Sequence, residues 1–323
     1  MAKLYLAPME GVLDYTLREI LTSLVGIDQC VTEFIRVSDR LLPRSVFYRL
    51  APELYQGGVT RSGVPVYLQL LGSDPALLAE NAARAAELGA PGIDLNFGCP
   101  AKTVNKSRGG AVLLKEPDLL HDIVYAVRKA VPAHIPVTAK MRLGFLDKSL
   151  AIENAQAIES AGAGCLTVHA RTKLEGYKPP AHWEWIAKIR EAVDLQVIAN
   201  GEVWNRDDYL RCQTVSGCQD VMLGRGMLSN PFLAESLVTG DESITQAQRW
   251  QRLLPMLEKY LTQVTEDLSE RHVHGRLKQW LNMLRWHFPQ AELLFAEIRS
   301  ERDPAVILAK LKQQQVIRQA LNE

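Results

Sequence analysis

The stretch VPVYLQLLGSDPALLAENAARAAELGAPGIDLNFGCP, residues 64–100, reads as a strand, a helix and a second strand. Its ends, VPVYLQLLG (64–72) and GIDLNFGCP (92–100), are short continuous apolar runs, the pattern of strands buried on both faces. Between them PALLAENAARAAELG (75–89) carries apolar residues at helical spacing and stops at a glycine. The alternation continues outward in both directions. Strand-like runs recur at 4–9, 30–37, 135–144, 165–172, 196–203 and 220–228, which with the first two makes eight. Helical patterns fill the gaps, as at 116–131 and 150–162.

Eight such units over 1–240 match an α/β chain folded as a (β/α)₈ barrel, with a doubly wound sheet as the rival. The barrel is favoured because nearly every run closes on a polar or functional group: Met9, Arg36, Gln69, Asn96, Lys140, His169, Asn200 and Arg225. Those positions would ring the C-terminal mouth, where barrels place their active sites. After VTGDES (238–243) the strand pattern ends, which predicts a boundary near Gly240 and a small all-α helical bundle over 241–323. There, Leu277, Trp280, Leu281, Leu284 and Phe288 fall on one helical face, and Arg271, Lys278 and Arg285 repeat every seven residues beside it. The stripe reads either as a solvated edge or, with Arg276 and Trp286 near it, as an RNA-binding face.

At 323 residues, with 47% hydrophobic and 23% charged, the chain has the balance of a folded globular protein. Lys+Arg and Asp+Glu are equal at 37, so binding to a polyanion would have to come from local clusters of basic residues. The N-terminal apolar run breaks at Pro8, too early for a signal peptide core, and no segment is long enough to span a membrane. Five cysteines without a C-x-x-C pair fit reduced thiols, and the expected location is cytoplasmic. HVH at 272–274 has the wrong spacing for one helical face, and no metal site is expected.

In NFGCPAKTVNKSRGGAVLL (96–114) a cysteine stands between a glycine and a proline, where an apolar run stops. At a strand end, Asn96 and Cys99 would point into the barrel mouth, with Gly98 permitting and Pro100 fixing a tight turn. A cysteine placed there can act as nucleophile or acid; buried packing is the structural alternative. Residues 102–110 read as a mobile basic loop whose glycines would provide the give.

Together A-P-M-E-G (7–11), Q-L-L-G (69–72), N-F-G-C-P (96–100), K-M-R-L-G (140–144), H-A-R-T (169–172), N-G-E (200–202) and G-R-G (224–226) resemble the tRNA-dihydrouridine synthases over almost the whole chain. T-E-F-I-R (32–36), P-A-K-T-V-N (100–105) and R-L-K-Q-W-L (276–281) look most like the bacterial C branch, which acts on the uridine at position 16 of tRNA. The resemblance implies a flavin enzyme in which NADPH reduces FMN and the reduced flavin saturates the C5–C6 bond of a uridine. It also favours a monomer.

Hydride delivered to C6 pushes charge onto C5 and the C4 carbonyl, so an acid must stand on the opposite face of the ring. Cys99 is the candidate, since an unperturbed thiol is mostly protonated at neutral pH. The resemblance places Pro8, Met9, Glu10, Gly11, Gln69, Lys140 and His169 about the flavin, and Asn200, Gly201, Glu202, Gly224 and Arg225 at its phosphate. Asn96 would read a uracil edge with a donor and an acceptor. Arg36, Arg142, Lys178, Arg276, Lys278 and Arg299 are the candidate tRNA contacts. The chain departs from the family's Y-x-G-x-A-x-W pattern at Y-K-P-P-A-H-W (177–183), which leaves the conformation of that loop open. The rival functions are a flavin oxidoreductase acting on a free pyrimidine, an aldolase with Lys140 as Schiff base, and a tRNA-binding protein without catalysis.

Overall fold

The computed structural model describes residues 2–241, 243–267 and 270–319, with the backbone alone at 267, 270–274 and 315–319. The side chains of Arg271 and of the HVH stretch therefore lie outside the described residues. Nine strands occur among the described residues: β1 (Leu4–Leu6), β2 (Gln29–Val31), β3 (Ile35–Arg36), β4 (Val66–Leu71), β5 (Ile93–Phe97), β6 (Val137–Arg142), β7 (Cys165–His169), β8 (Gln196–Asn200) and β9 (Val221–Leu223). β1 pairs with β2, β2 with β4, and the series runs through β5, β6, β7, β8 and β9 back to β1, every pair parallel. The sheet closes on itself as an eight-strand barrel, which decides against the doubly wound sheet. Closure removes both sheet edges. β3 lies outside the ring and extends β4 at its C-terminal end, with Arg36 opposite Leu71.

The period of two along each strand separates two environments. Leu68, Leu95, Ala139, Met141, Leu166, Val168, Val197 and Ala199 face outward and are buried. Tyr5, Val31, Ile198 and Met222 turn inward and, with Tyr67 and Cys165, fill the barrel interior. Between strands, the helix Pro75–Glu87 shows how the local sequence sets its limits. Asp74 accepts a hydrogen bond from the Leu77 N–H at 2.9 Å, and Pro75 occupies the first turn, where a missing N–H costs nothing. Leu78, Asn81, Ala82 and Ala85 are its buried stripe, and Gly89, with φ +91°, turns the chain out of the helix.

The chain divides into two compact units, Met1–Glu10 with Ile27–Gly224, and Gly11–Gly26 with Arg225–Glu323. The division falls at Gly224–Arg225 and not near Gly240, for two reasons visible in the packing of the second unit. The helix Arg225–Ser229 is tied to the C-terminal helices by the Trp280 indole, which donates to the Leu228 carbonyl at 3.2 Å. The helix Tyr15–Thr22 packs on Gln246–Asp267, with the Tyr260 hydroxyl donating to Asp14 at 3.3 Å. Within this unit Leu277, Trp280, Leu281, Leu284 and Phe288 are all buried, as their spacing predicts. Each contributes about 2 kcal/mol of apolar burial, and Trp280 meets the Tyr260 ring edge-on at 5.3 Å.

Candidate active site

Strand register places a polar layer at the C-terminal end of the barrel. Asn96 pairs with Lys140, Arg142 with His169 and His169 with Asn200, while Asp94 lies beside both Gln69 and Thr138. All point inward by strand alternation.

Cys99 stands just past the end of β5 and is half-buried. Its turn is held from several sides. The Asn96 side-chain oxygen accepts from the N–H groups of Gly98 and Cys99, both at 2.9 Å. The Gly98 carbonyl accepts from Arg142 Nε at 2.8 Å, and the Cys99 carbonyl accepts from Asn105 Nδ2 at 2.9 Å and from the Ala111 N–H at 3.0 Å. Glycine freedom at 98 is not what makes the turn: a Cβ there would meet nothing closer than 3.6 Å. The demanding position is Gly110, whose φ is +67° and whose Cβ would lie 2.8 Å from the Cys99 carbonyl oxygen. The segment expected to be a mobile loop contains a short helix, Lys102–Lys106, and Gly109 and Gly110 are buried in close packing. Burial pushes the Cys99 thiol above its ordinary range; the Ala101 N–H, Arg142 and Arg36 oppose this, and Glu10 adds to it. Such a thiol is protonated at neutral pH and suits proton donation better than nucleophilic attack.

Lys140 donates to Asn200 Oδ1 at 3.0 Å, and Asn200 in turn donates to the Met222 carbonyl at 2.8 Å. Burial, helped by Arg142 and opposed by Asp94, pulls the Lys140 ammonium down to about 8. Asn200 is its one hydrogen-bond partner among the described residues, which leaves two N–H donors on a half-buried cation. An acceptor-rich ring bound at the mouth would satisfy them, so the donor set fits a flavin.

His169 is buried, with the Tyr177 ring tilted toward it at 6.0 Å between centroids. At Gly201 φ is +117° and a Cβ would lie 2.8 Å from His169 Cδ2, so only glycine lets the backbone pass the imidazole this closely. Glu202 pairs with buried Arg171, and the Trp183 indole donates to the Gly201 carbonyl at 2.9 Å. Arg171 also donates to the carbonyls of Lys178 and Pro180, which anchors the divergent 177–183 loop. Pro8 and Met9 follow β1 half-buried, with Glu10 exposed; Gly224 follows β9. In the second unit, Gly11 is exposed with φ +72°, and Arg225 opens the helix Arg225–Ser229.

Among the expected tRNA contacts, Arg36 and Lys178 are exposed, whereas Arg142 is 2% exposed. Besides Gly98, Arg142 donates to the carbonyls of Thr172 at 3.1 Å and Gly176 at 2.8 Å, and it lies 5.1 Å from the Tyr177 ring. Its donors hold the mouth loops. In the second unit Arg276 donates to the Gly11 carbonyl at 2.8 Å, and the Lys278 ammonium donates to the carbonyls of Arg299 and Glu301. Asn96 differs from its expected role too. With its oxygen filled by two N–H groups and one N–H given to Gln69 at 2.7 Å, a single donor remains for a uracil carbonyl. Asp94, Asn105, Gly110 and Thr138 were absent from the sequence-based site. Asp94 carried a signal: a carboxylate inside an apolar run, two residues before Asn96 and hence on the same face. No cluster of three or more metal-ligating side chains occurs among the described residues, and no helix there is long and apolar enough to cross a membrane.

A family model described as dihydrouridine synthase (Dus) matches residues 5–320. The chain belongs to the dihydrouridine synthase family. Membership carries the family's chemistry: the protein is a flavin-dependent oxidoreductase that makes dihydrouridine in tRNA, with FMN as its flavin. Among similar proteins, the tRNA-dihydrouridine(16) synthase of Pseudomonas putida is 60% identical over 303 residues, 94% of each chain. Proteins of the same name from Shewanella oneidensis and Neisseria meningitidis serogroup B are 51% and 47% identical, covering 97% and 93% of this chain and 98% and 91% of theirs. Two solved structures share the fold alone. A 2-naphthoyl-CoA reductase complex aligns with a TM-score of 0.58 at 14% identity, over 75% of this chain and 50% of that one. A variant of NCR from Zymomonas mobilis gives 0.52 at 14% identity, over 74% and 86%.

Proposed function

We propose that this dihydrouridine synthase acts on the uridine at position 16 of tRNA, with NADPH as reductant and Cys99 as the acid that protonates C5. The position is supported by relatives named for it at 46–60% identity over more than nine-tenths of the chain. The observation that carries the acid role is the half-buried, protonated thiol held in a fixed turn at the barrel mouth.

Bound FMN, once reduced, supplies the hydride for C6 of the uracil. The protein's own residues do the rest. Gln69, Lys140, His169 and the backbone about Pro8 and Met9 would hold the ring, and Asn200, Gly201, Glu202 and Gly224 the phosphate end. Lys140, still an ammonium at neutral pH, presents donors where negative charge gathers on carbonyl oxygens. The remaining Asn96 N–H orients a uracil carbonyl, and Cys99 gives its proton to C5. Reaching a base in folded tRNA means extruding it, at a cost of a few kcal/mol that RNA contacts must offset. Arg36, Lys178, Arg276, Lys278 and Arg299 are proposed to make those contacts.

Cys99→Ala should keep FMN and its reduction by NADPH and lose most dihydrouridine formation in a single-turnover assay. Turnover near that of the unmodified protein would remove Cys99 from the acid role. Mapping dihydrouridine in tRNA from a strain lacking the gene tests the position; a modified residue 16 in that tRNA would overturn it.

A further inference from the structure

Asp94 lies one layer beneath the reacting groups, buried on the inner face of β5. One carboxylate oxygen accepts from the Thr138 hydroxyl at 2.6 Å, the other from Gln69 Nε2 at 2.7 Å. Gln69 Oε1 accepts from Asn96 Nδ2 at 2.7 Å, and Asn96 Oδ1 accepts from the N–H groups of Gly98 and Cys99. The charged and titratable groups facing Asp94 are Lys140 on β6, Tyr67 on β4 and Cys165 on β7.

The orientation of both amides follows from either end of this series. Backbone N–H groups can only donate, so Asn96 must turn its oxygen to Gly98 and Cys99 and its nitrogen to Gln69. Gln69 must then turn its oxygen to Asn96 and its nitrogen inward. That nitrogen needs an acceptor in a place closed to water, and the Asp94 carboxylate oxygen facing it supplies one; burial pushes that carboxyl above its ordinary range, but this oxygen accepts with or without a proton on the other. A residue offering a donor there would reverse Gln69, and Gln69 reversed would reverse Asn96. The two N–H groups of the Cys99 turn would then face an amino group.

We infer that Asp94 is a positioning residue for Cys99: through Gln69 and Asn96 it fixes the polarity of a hydrogen-bond relay whose last acceptor holds the turn that carries the thiol. Its importance for turnover rests on Cys99 being the acid. The relay itself does not.

The test exchanges the two ends of one bond. In Gln69→Glu, two carboxylates meet where an N–H and a carboxylate met. The relay then holds only while a proton lies between them: once both carboxylates ionise, their repulsion drives the side chain at position 69 away from Asp94 and, with it, out of register with Asn96. In the double variant Asp94→Asn with Gln69→Glu, the donor has moved to position 94. The bond between positions 69 and 94 is thereby reversed in polarity, while the second oxygen at position 69 still accepts from Asn96.

The readout is the rate of Cys99 alkylation by iodoacetamide in the purified flavoprotein, followed by mass spectrometry of the peptide containing Cys99. At pH 9, Gln69→Glu should alkylate about tenfold faster than the unmodified protein at the same pH, the factor expected from losing one or two backbone hydrogen bonds. At pH 6 the two should agree within about twofold. The double variant should return to the unmodified rate at both pH values. Equal rates for Gln69→Glu and the unmodified protein at pH 9, or a double variant as fast as Gln69→Glu, would overturn the inference. Because alkylation needs no tRNA and no turnover, failure here is separable from failure of the acid role, which Cys99→Ala tests.

Discussion

Gly110→Ala should injure the site without replacing any residue that contacts flavin or uracil. Glycine at 110 has φ +67°, where an alanine costs about 1 kcal/mol from its Cβ alone. The new methyl would also lie 2.8 Å from the Cys99 carbonyl oxygen, 2.9 Å from Cys99 Cβ and 3.2 Å from Val104 Cγ1. The oxygen is backbone, already bound to Asn105 and Ala111, so it cannot swing aside as a side-chain tip would. Restoring contact distance moves the Cys99 turn by about half an ångström or more, and overpacking of this kind adds about 2 kcal/mol. The sum is about 3 kcal/mol of lost stability, with turnover lowered by about tenfold or more through misplacement of the thiol. Gly57→Ala is the control: its φ is +82°, but nothing lies within 4 Å of its Cβ. It should lose about 1 kcal/mol and no activity. Urea unfolding gives the two stabilities, and single-turnover dihydrouridine formation gives the rates. If both variants lose the same stability and both turn over normally, the clash with Cys99 does not govern the site.

Lys278→Ala should lower the salt slope of tRNA binding by about one, and should cost about 1 kcal/mol of stability because its ammonium caps the carbonyls of Arg299 and Glu301. An unchanged slope would leave it a purely structural residue. Turnover should fall as pH rises through about 8, where Lys140 loses its proton, ahead of any limb from Cys99, whose thiol is held above its ordinary range. A single-turnover profile flat to pH 9.5 would refute this. The same shift fixes the sign of a stability effect. With the folded pKa near 8 and the ordinary lysine value 10.5, the unfolded chain binds more protons in that window, so the stability of the unmodified protein relative to Lys140→Met should rise with pH between them. Urea titrations at pH 7 and 10 would show it.

The eight strands were legible because a barrel buries each strand on both faces, and an apolar run of five or six residues records that directly. The mouth was legible for the same reason: a polar group ending such a run has few places to point but the open end. What the pattern could not carry was the second neighbour of each polar group. Arg142 ends its strand like Lys140, yet its guanidinium folds back onto three carbonyls, and only loop conformation decides between a substrate contact and a clamp. Gly98 looked like the residue that made the turn because it adjoins Cys99, but the constraint sits at Gly110, which reaches the turn through space. The boundary near Gly240 followed the end of the strand pattern. The helices Arg225–Ser229 and Leu233–Thr239 precede that glycine and yet belong with the C-terminal unit, since packing and not periodicity assigns a helix to a core.

Burial acts on Cys99 and Lys140 by one rule with opposite results. Withdrawal from water disfavours whichever form is charged, so the thiol moves up and the ammonium moves down. Had burial carried the lysine well below 7, it would be neutral at pH 7 and the site would lose its cation. Asp94 opposes that shift from below while also anchoring Gln69. One buried carboxylate thus favours the protonated state of Lys140 and the orientation of the turn bearing Cys99. Both groups then carry a proton at neutral pH, which is the condition a site must meet if charge is to develop on a uracil carbonyl and be quenched at carbon.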